Sequence, residues 1–445
     1  MDFLNDKIKP IYFKYLSTAF GSALVTSIYS IVDMAMVGQY QGPDGTASLA
    51  VVAPIWNIIF SLGLLMGIGG SVIYSILKGQ THHSTRQGHE YFSSAVIGAI
   101  CLSLLTWFVI VFYNKELLIF FGAKGQLLSL AQTYLKPIQY VFPCFLMTQL
   151  LSAFLRNDHA PTLATIGVLS GGLFNVVGDY VFVFTFDMGI YGAGLATAIG
   201  SVISCMIMLS HFFSKKNTLK FVKPTHFFQQ FKEICTTGFS TFFIDIAMGI
   251  LTILFNRQIM TYLGADALSV YGIVVNISTF VQCCAYSVGQ ASQPLISTNF
   301  GAQKGQRIQE TLKYALYTVV FFSVFWTALS LLIPNVFVRI FMTPTPSIQA
   351  IAPHIIRLYG LSFLLLPLNI FSTYYFQAIL KPKASFIVSV ARGLVISGIF
   401  IFVLPLIHVE ALWLTMPLTE LIVAIYTIFT MIRYTKQFSS SSNIS

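Results

Sequence analysis

Charge is what this chain has least of: only 9% of its 445 residues are Asp, Glu, Lys or Arg, against roughly a quarter in an ordinary soluble domain. A surface facing water on every side cannot be built from so few. The phosphate-cradling run G-x-x-x-x-G-K-[ST] is also missing, so the chain carries no ATPase engine. No nucleophile, histidine and acid stand in a catalytic arrangement, and an enzyme is not expected. Cys101, Cys144, Cys205, Cys235, Cys283 and Cys284 lack the paired spacing of a metal site and fall in or near apolar stretches, where they read as packing residues. His82 and His83, with His89, read as a solvated loop cluster. Alternating ten-residue segments, the mark of a membrane β-barrel, are absent as well.

What the sequence has instead is apolar length. Hydrophobic residues make up 56% of it, gathered in about twelve blocks near 12–38, 49–77, 91–113, 127–155, 160–186, 190–213, 233–263, 267–299, 311–333, 348–380, 384–406 and 410–433. Each has the roughly 20 residues a spanning helix needs. The reading is an all-α integral membrane protein. The start, MDFLNDKIKP, is charged and leads into a block far longer than a signal-peptide apolar core, so the first helix is expected to be retained. The tail SSSSNIS is polar and expected to be disordered.

A net charge of +10 suggests nucleic acid until the bases are located. They follow the loops. With the N-terminus inside, Lys7, Lys9, Lys14, Lys78, Arg86, Arg156, Lys215, Lys216, Lys220, Lys223, Lys232, Lys304, Arg307, Lys313, Lys381, Lys383, Arg433 and Lys436 fall in inside segments, while Lys115, Lys124 and Lys136 stand opposite, with Arg257, Arg339 and Arg357 as further candidates for that side. This positive-inside bias places both termini in the cytoplasm and the chain in a plasma membrane, with lipid rather than nucleic acid as its partner. The basic run within 214–232 reads as a cytoplasmic linker that fixes orientation. It divides the chain into bundles 1–213 and 233–435, followed by a tail 436–445. Segment 49–80 lies on 271–302 so that the glycines of LLMGIGG fall near those of YSVGQAS. Two six-helix halves of equal spacing are the expected product of an internal repeat, a common plan for transporters with a site between repeats.

Against this background a carboxylate in an apolar run asks for a reason, since it costs roughly 2.5–3.5 kcal/mol at the centre of a membrane helix on insertion scales. GGLFNVVGDYVFVF, residues 171–184, contains two polar side chains, Asn175 and Asp179. Asp33 lies about five residues before the outer end of helix 1, Asp179 about seven before that of helix 5, and Thr197 about seven into helix 6. At about 1.5 Å per residue all three sit on the order of 10 Å below the outer surface. Asn175 shares the face of Asp179 one turn deeper. Two acids, an amide and a hydroxyl at one depth form a set of hard oxygen ligands suited to a proton or a sodium ion. The second half embeds Asp245 in helix 7, Arg392 in helix 11 and Glu420 in helix 12. These are candidates for the substrate cavity, and Arg392 and Glu420 are also candidates for a mutual ion pair. Gly63, Gly67, Gly69 and Gly70 fit small-residue helix packing.

SIYSIVDMAMVGQY, LRNDHAPTLA, NVVGDYVFVF, GIYGAGLATAIGS, SVGQASQPLISTNFGAQ and MPLTELIVA, spread over nearly the whole chain, resemble the multidrug and toxic compound extrusion (MATE) family. The resemblance implies twelve helices in two pseudosymmetric six-helix bundles around an outward-opening central cavity. It implies a monomer that exports amphipathic, often cationic drugs or toxic metabolites in antiport with sodium ions or protons, with no other cofactor. Carried over by position, the family's cation site falls on Asp33, Asn175, Asp179 and Thr197, and Asp245 falls where some members place an acid near substrate. His159 stands where glycine is usual, and block 12–38 has no proline to kink it. The alternative is a flippase for lipid-linked saccharides, which would line its cavity with several bases. Only Arg392 is clearly embedded here.

Overall fold

The computed structural model describes residues 2–80, 85–341 and 345–440. His82, His83 and the end of the SSSSNIS tail lie outside the described residues. His89 does not share a solvated cluster: it is buried, with its ring against Tyr74. All regular elements among the described residues are helical. Among the described residues eleven helices are long and apolar enough to span a membrane, and a pair of helices bent by 62° makes twelve if it is counted as one broken span.

In chain order these are α1 (Ile8–Gln41), α2 (Asp44–Gly79), α3 (Arg86–Phe120), α4 (Gln126–Ile138 with Phe142–Asn157), α5 (Pro161–Thr185), α6 (Gly189–Phe213), α7 (Phe227–Tyr262), α8 (Gly264–Gly301), α9 (Gly305–Leu332), α10 (Pro346–Ala378), α11 (Pro382–Ile407) and α12 (Val409–Phe438). The last helix continues through Ser440, into the expected tail. Prolines set several of the boundaries. Pro161, Pro346 and Pro382 occupy the first turns of α5, α10 and α11, where a missing N–H costs nothing. The bend in α4 lies between Pro137, in the last turn of its first piece, and Pro143, in the first turn of its second.

Two compact units emerge, Ser17–Phe242 and Asp2–Leu16 with the chain from Phe243 onward. The 214–232 segment, expected to separate the halves, lies inside the first unit, and the division falls within α1 and α7. The reason is close backbone approach. A Cβ on Gly69 of α2 would stand 2.2 Å from the carbonyl oxygen of Ile234, and one on Gly238 of α7 would stand 2.1 Å from that of Leu65. Only glycine at both positions lets the first half of α7 lie against α2. In the second unit the segment before α1 is held by bases: Arg307 donates to the carbonyls of Phe3 (2.8 Å) and Asp6 (2.6 Å), and Lys304 to that of Leu4 (2.9 Å).

The internal repeat is visible in the backbone. Before α5, His159 is left-handed (φ 61°), and before α11 Leu380 is left-handed (φ 52°), each two residues ahead of the opening proline. Matching bonds close both corners, Ala160 N–H to Leu155 O at 2.8 Å and Lys381 N–H to Phe376 O at 2.8 Å. The left-handed corner explains why glycine is the usual residue where His159 stands. A side chain in that region costs roughly 1–2 kcal/mol. Leu380 is 40% exposed and has little packing to lose, so Leu380→Gly should raise the thermal unfolding midpoint in detergent, while the β-branched Leu380→Val should lower it.

Candidate cation site

The first unit gathers the four predicted residues and adds a fifth. Helix α1 supplies Asp33, α5 supplies Asn175 and Asp179, and α6 supplies Thr197; the first piece of α4 brings in Tyr134. Glycine again sets the approach, since a Cβ on Gly171 of α5 would stand 2.5 Å from the carbonyl oxygen of Gly200 on α6. That contact puts Asn175 beside Thr197. A relay of side chains then runs across the helices: Asn175 Nδ2 donates to Thr197 Oγ1 (3.0 Å), Thr197 stands beside Tyr134, and Tyr134 Oη donates to Asp33 Oδ2 (3.0 Å). Asp33 and Asp179 are close enough to interact electrostatically.

The relay exhausts its donors before it reaches the far oxygens. Asn175 Oδ1, Asp33 Oδ1 and both carboxyl oxygens of Asp179 are buried with no hydrogen-bond donor among the described residues. Asp179 has no exposed surface, Asn175 is 3% exposed and Asp33 8%. Like charges at this separation in a poorly screened interior repel by several kcal/mol, roughly 4 at 4 Å for an effective dielectric near 20. The four acceptor oxygens are left without a compensating donor or base among the described residues. Directly after Asp179 the chain widens into a π-helical turn, Tyr180–Thr185. Such turns shift the register of the following residues and occur often at functional sites.

Tyr134 was not legible in the sequence. It is one of 21 tyrosines, and it sits in TYLKPI, where nothing separates a phenol aimed at a carboxylate from one filling the core. Among the described residues no group of three or more His, Cys, Asp or Glu could hold a transition metal.

Comparison with known proteins fits this geometry. A family model described as MatE matches residues 18–181 and 241–403, one segment in each half. The chain belongs to the MATE family. Its membership makes it a membrane transporter rather than an enzyme. The multidrug export protein MepA of Staphylococcus saprophyticus is 25% identical over 378 residues, covering 84% of this chain and 82% of that one. MepA of Staphylococcus aureus strain NCTC 8325 is 26% identical over 377 residues, with the same coverage. The fold is that of a multidrug resistance MATE family transporter of the MOP superfamily solved in an outward-facing conformation, with a TM-score of 0.89, 18% identity and 98% of both chains covered.

The MATE chain's second unit arranges its embedded charges differently. Arg392 on α11 and Glu420 on α12 form an ion pair, Nε to Oε1 at 2.6 Å, and Asn369 Nδ2 on α10 donates to Glu420 Oε2 at 2.7 Å. Of the two roles read for this pair, the geometry displays the mutual ion pair. Neither side chain lines an open cavity, since Arg392 is 2% exposed and Glu420 fully buried. Asp245 on α7 is half-buried and acts electrostatically on Tyr286 of α8, as does Arg392. Removing one partner of a buried pair strands the other charge at a cost of roughly 3–5 kcal/mol, whereas replacing both with apolar residues is often neutral. Arg392→Met and Glu420→Leu should therefore each lower the thermal midpoint sharply, and the double substitution should recover most of the loss.

Proposed function

We propose that the chain is a secondary active multidrug exporter that moves amphipathic, often cationic compounds out of the cell in antiport with sodium ions or protons. The observation that carries this reading is the pocket of four donor-less acceptor oxygens contributed by Asp33, Asn175 and Asp179. A passive scaffold has no use for two facing buried carboxylates. The MepA relatives, named as multidrug export proteins, support the substrate class, and the basic loops support a plasma-membrane chain with both termini cytoplasmic. Asp245, the half-buried acid of the second unit, is the residue proposed to attract a cationic substrate. The flippase reading loses its embedded base, because Arg392 is already neutralised by Glu420.

Coupling follows from the pocket. A ligand shifts a conformational equilibrium only by its differential affinity for the two states. A cation that neutralises Asp33 and Asp179 favours the arrangement of α1, α4, α5 and α6 in which those carboxyls stay together, and drug favours the other. Each then displaces its competitor. Tyr134 and Thr197 act by holding Asp33 and Asn175 in place.

The test is transport by purified protein in proteoliposomes with sodium and proton gradients imposed independently. Asp179→Asn keeps the volume and removes the charge, so gradient-driven efflux should fall to background while the protein remains folded. Asp33→Asn should do likewise, and the double variant should be no worse than either single if the acids act as one unit. Efflux at the unmodified rate from Asp179→Asn, at matched protein density, would overturn the assignment.

A further inference from the structure

The 214–232 segment reads from sequence as a tether, but its structure is that of a held part. Asp158, in the connection between α4 and α5, has no exposed surface. It accepts from Lys78 Nζ of α2 at 3.0 Å and lies 2.8 Å from His211 Nε2 at the end of α6. It also accepts from the backbone N–H of Thr218 at 2.9 Å and from the Thr218 hydroxyl. Lys78 closes the ring with a second bond to Thr218 Oγ1 at 2.8 Å. One buried carboxylate thus ties α2 and α6 to the middle of the connecting segment.

A second acid does the same further along. Glu90 of α3 accepts from the Thr225 hydroxyl (2.6 Å), from Thr225 N–H (3.3 Å) and from Gln230 Nε2 (3.0 Å). Ser94 of α3 donates to Gln230 Oε1 at 2.6 Å. Gln230 lies in the first turn of α7, the half-helix that rests on α2 through Gly69 and Gly238. The repeat sharpens the point. Where the first corner has Asp158, one residue before the left-handed position, the second has Ile379, so the fold of the corner does not require an acid. The carboxylate serves the segment it holds.

We propose that Asp158 and Glu90 form a releasable clasp: closed, it holds residues 218–230 and the first half of α7 against α2 and α3, and its release frees that half-helix for the inward-open state. The clasp rests on the transport reading and on the proposed cytoplasmic placement of the 214–232 segment. It is not a pH switch. Burial by itself would lift the Asp158 carboxyl, but the hydrogen bond from His211, the charge of Lys78 and the two bonds from Thr218 outweigh it and bring the group down to about 2. A depressed carboxyl contributes its full stability above its ordinary range near 4 and loses it only as pH falls toward 2. Asp158 therefore keeps its charge around neutral pH, and the proposed clasp opens mechanically rather than by titration of that carboxyl.

Two measurements test it. The native Cys235 in the first half of α7 is half-buried and reports release once the other five cysteines are replaced. In inside-out vesicles its labelling by a charged thiol reagent should quicken at least about fivefold in Asp158→Asn, which trades a charge-assisted set of bonds for neutral ones, and by a smaller factor in Thr218→Val, which leaves Asp158 its other partners. This arm needs no transport, so a chain that moved no drug would fail the proposed function without touching this result. In the second measurement, cysteines placed by Ser94→Cys and Gln230→Cys are joined by a disulfide. The stapled protein should still bind drug but not turn over, and reduction should restore turnover. Unchanged Cys235 labelling in both variants, or turnover of the stapled protein at the reduced rate, would overturn the clasp.

Discussion

Two carboxylates facing each other in an apolar bundle are the constraint around which the first unit is arranged. Asp33 and Asp179 come from helices far apart in sequence, and among the described residues no base forms an ion pair with either. The bundle instead supplies one neutral donor to the pair, Tyr134, holds Asn175 against Thr197, and leaves the remaining carboxyl oxygens bare. The glycine contact between α5 and α6 and the bent α4 that delivers Tyr134 both serve that arrangement. An interior built this way leaves electrostatic repulsion uncompensated, which is the feature the proposed coupling to a cation would use.

The second unit resolves the same difficulty in the opposite manner. Its buried acid, Glu420, has a permanent counter-charge in Arg392 and a neutral donor in Asn369. A pair neutralised from within has no need of an ion from outside, so the repeat is symmetric in backbone and asymmetric in charge. The corners before α5 and α11 show this at the smallest scale: the left-handed residue and the closing bond recur, while Asp158 and Ile379 differ completely in chemistry.

Much of this was legible in the sequence because membrane burial writes plainly in composition. Eleven of the twelve apolar blocks correspond to one helix each among the described residues and the fourth to the bent pair, and the cost of a buried charge was enough to single out Asp33 and Asp179 by depth. Side-chain aim was not legible. Tyr134 is indistinguishable from core tyrosines until α4 is seen to bend, and Arg392 and Glu420 admitted two roles until their 2.6 Å contact chose one. How the 214–232 segment is held was not legible for a related reason: only the fold shows that Thr218, Thr225 and Gln230 face buried acids. Which unit holds the first half of α7 depends on glycine contacts with α2, and periodicity carries no trace of them.

The central claim is that drug and cation compete for alternative states through the Asp33–Asp179 pair. The most direct measurement is of cation release when drug binds to purified protein, followed as protons in weakly buffered medium and as labelled sodium in parallel. The account predicts that wild-type protein releases one of the two cations in proportion to drug bound and that Asp179→Asn binds drug without release. Drug binding with no release from the wild type, or undiminished release from the variant, would contradict it.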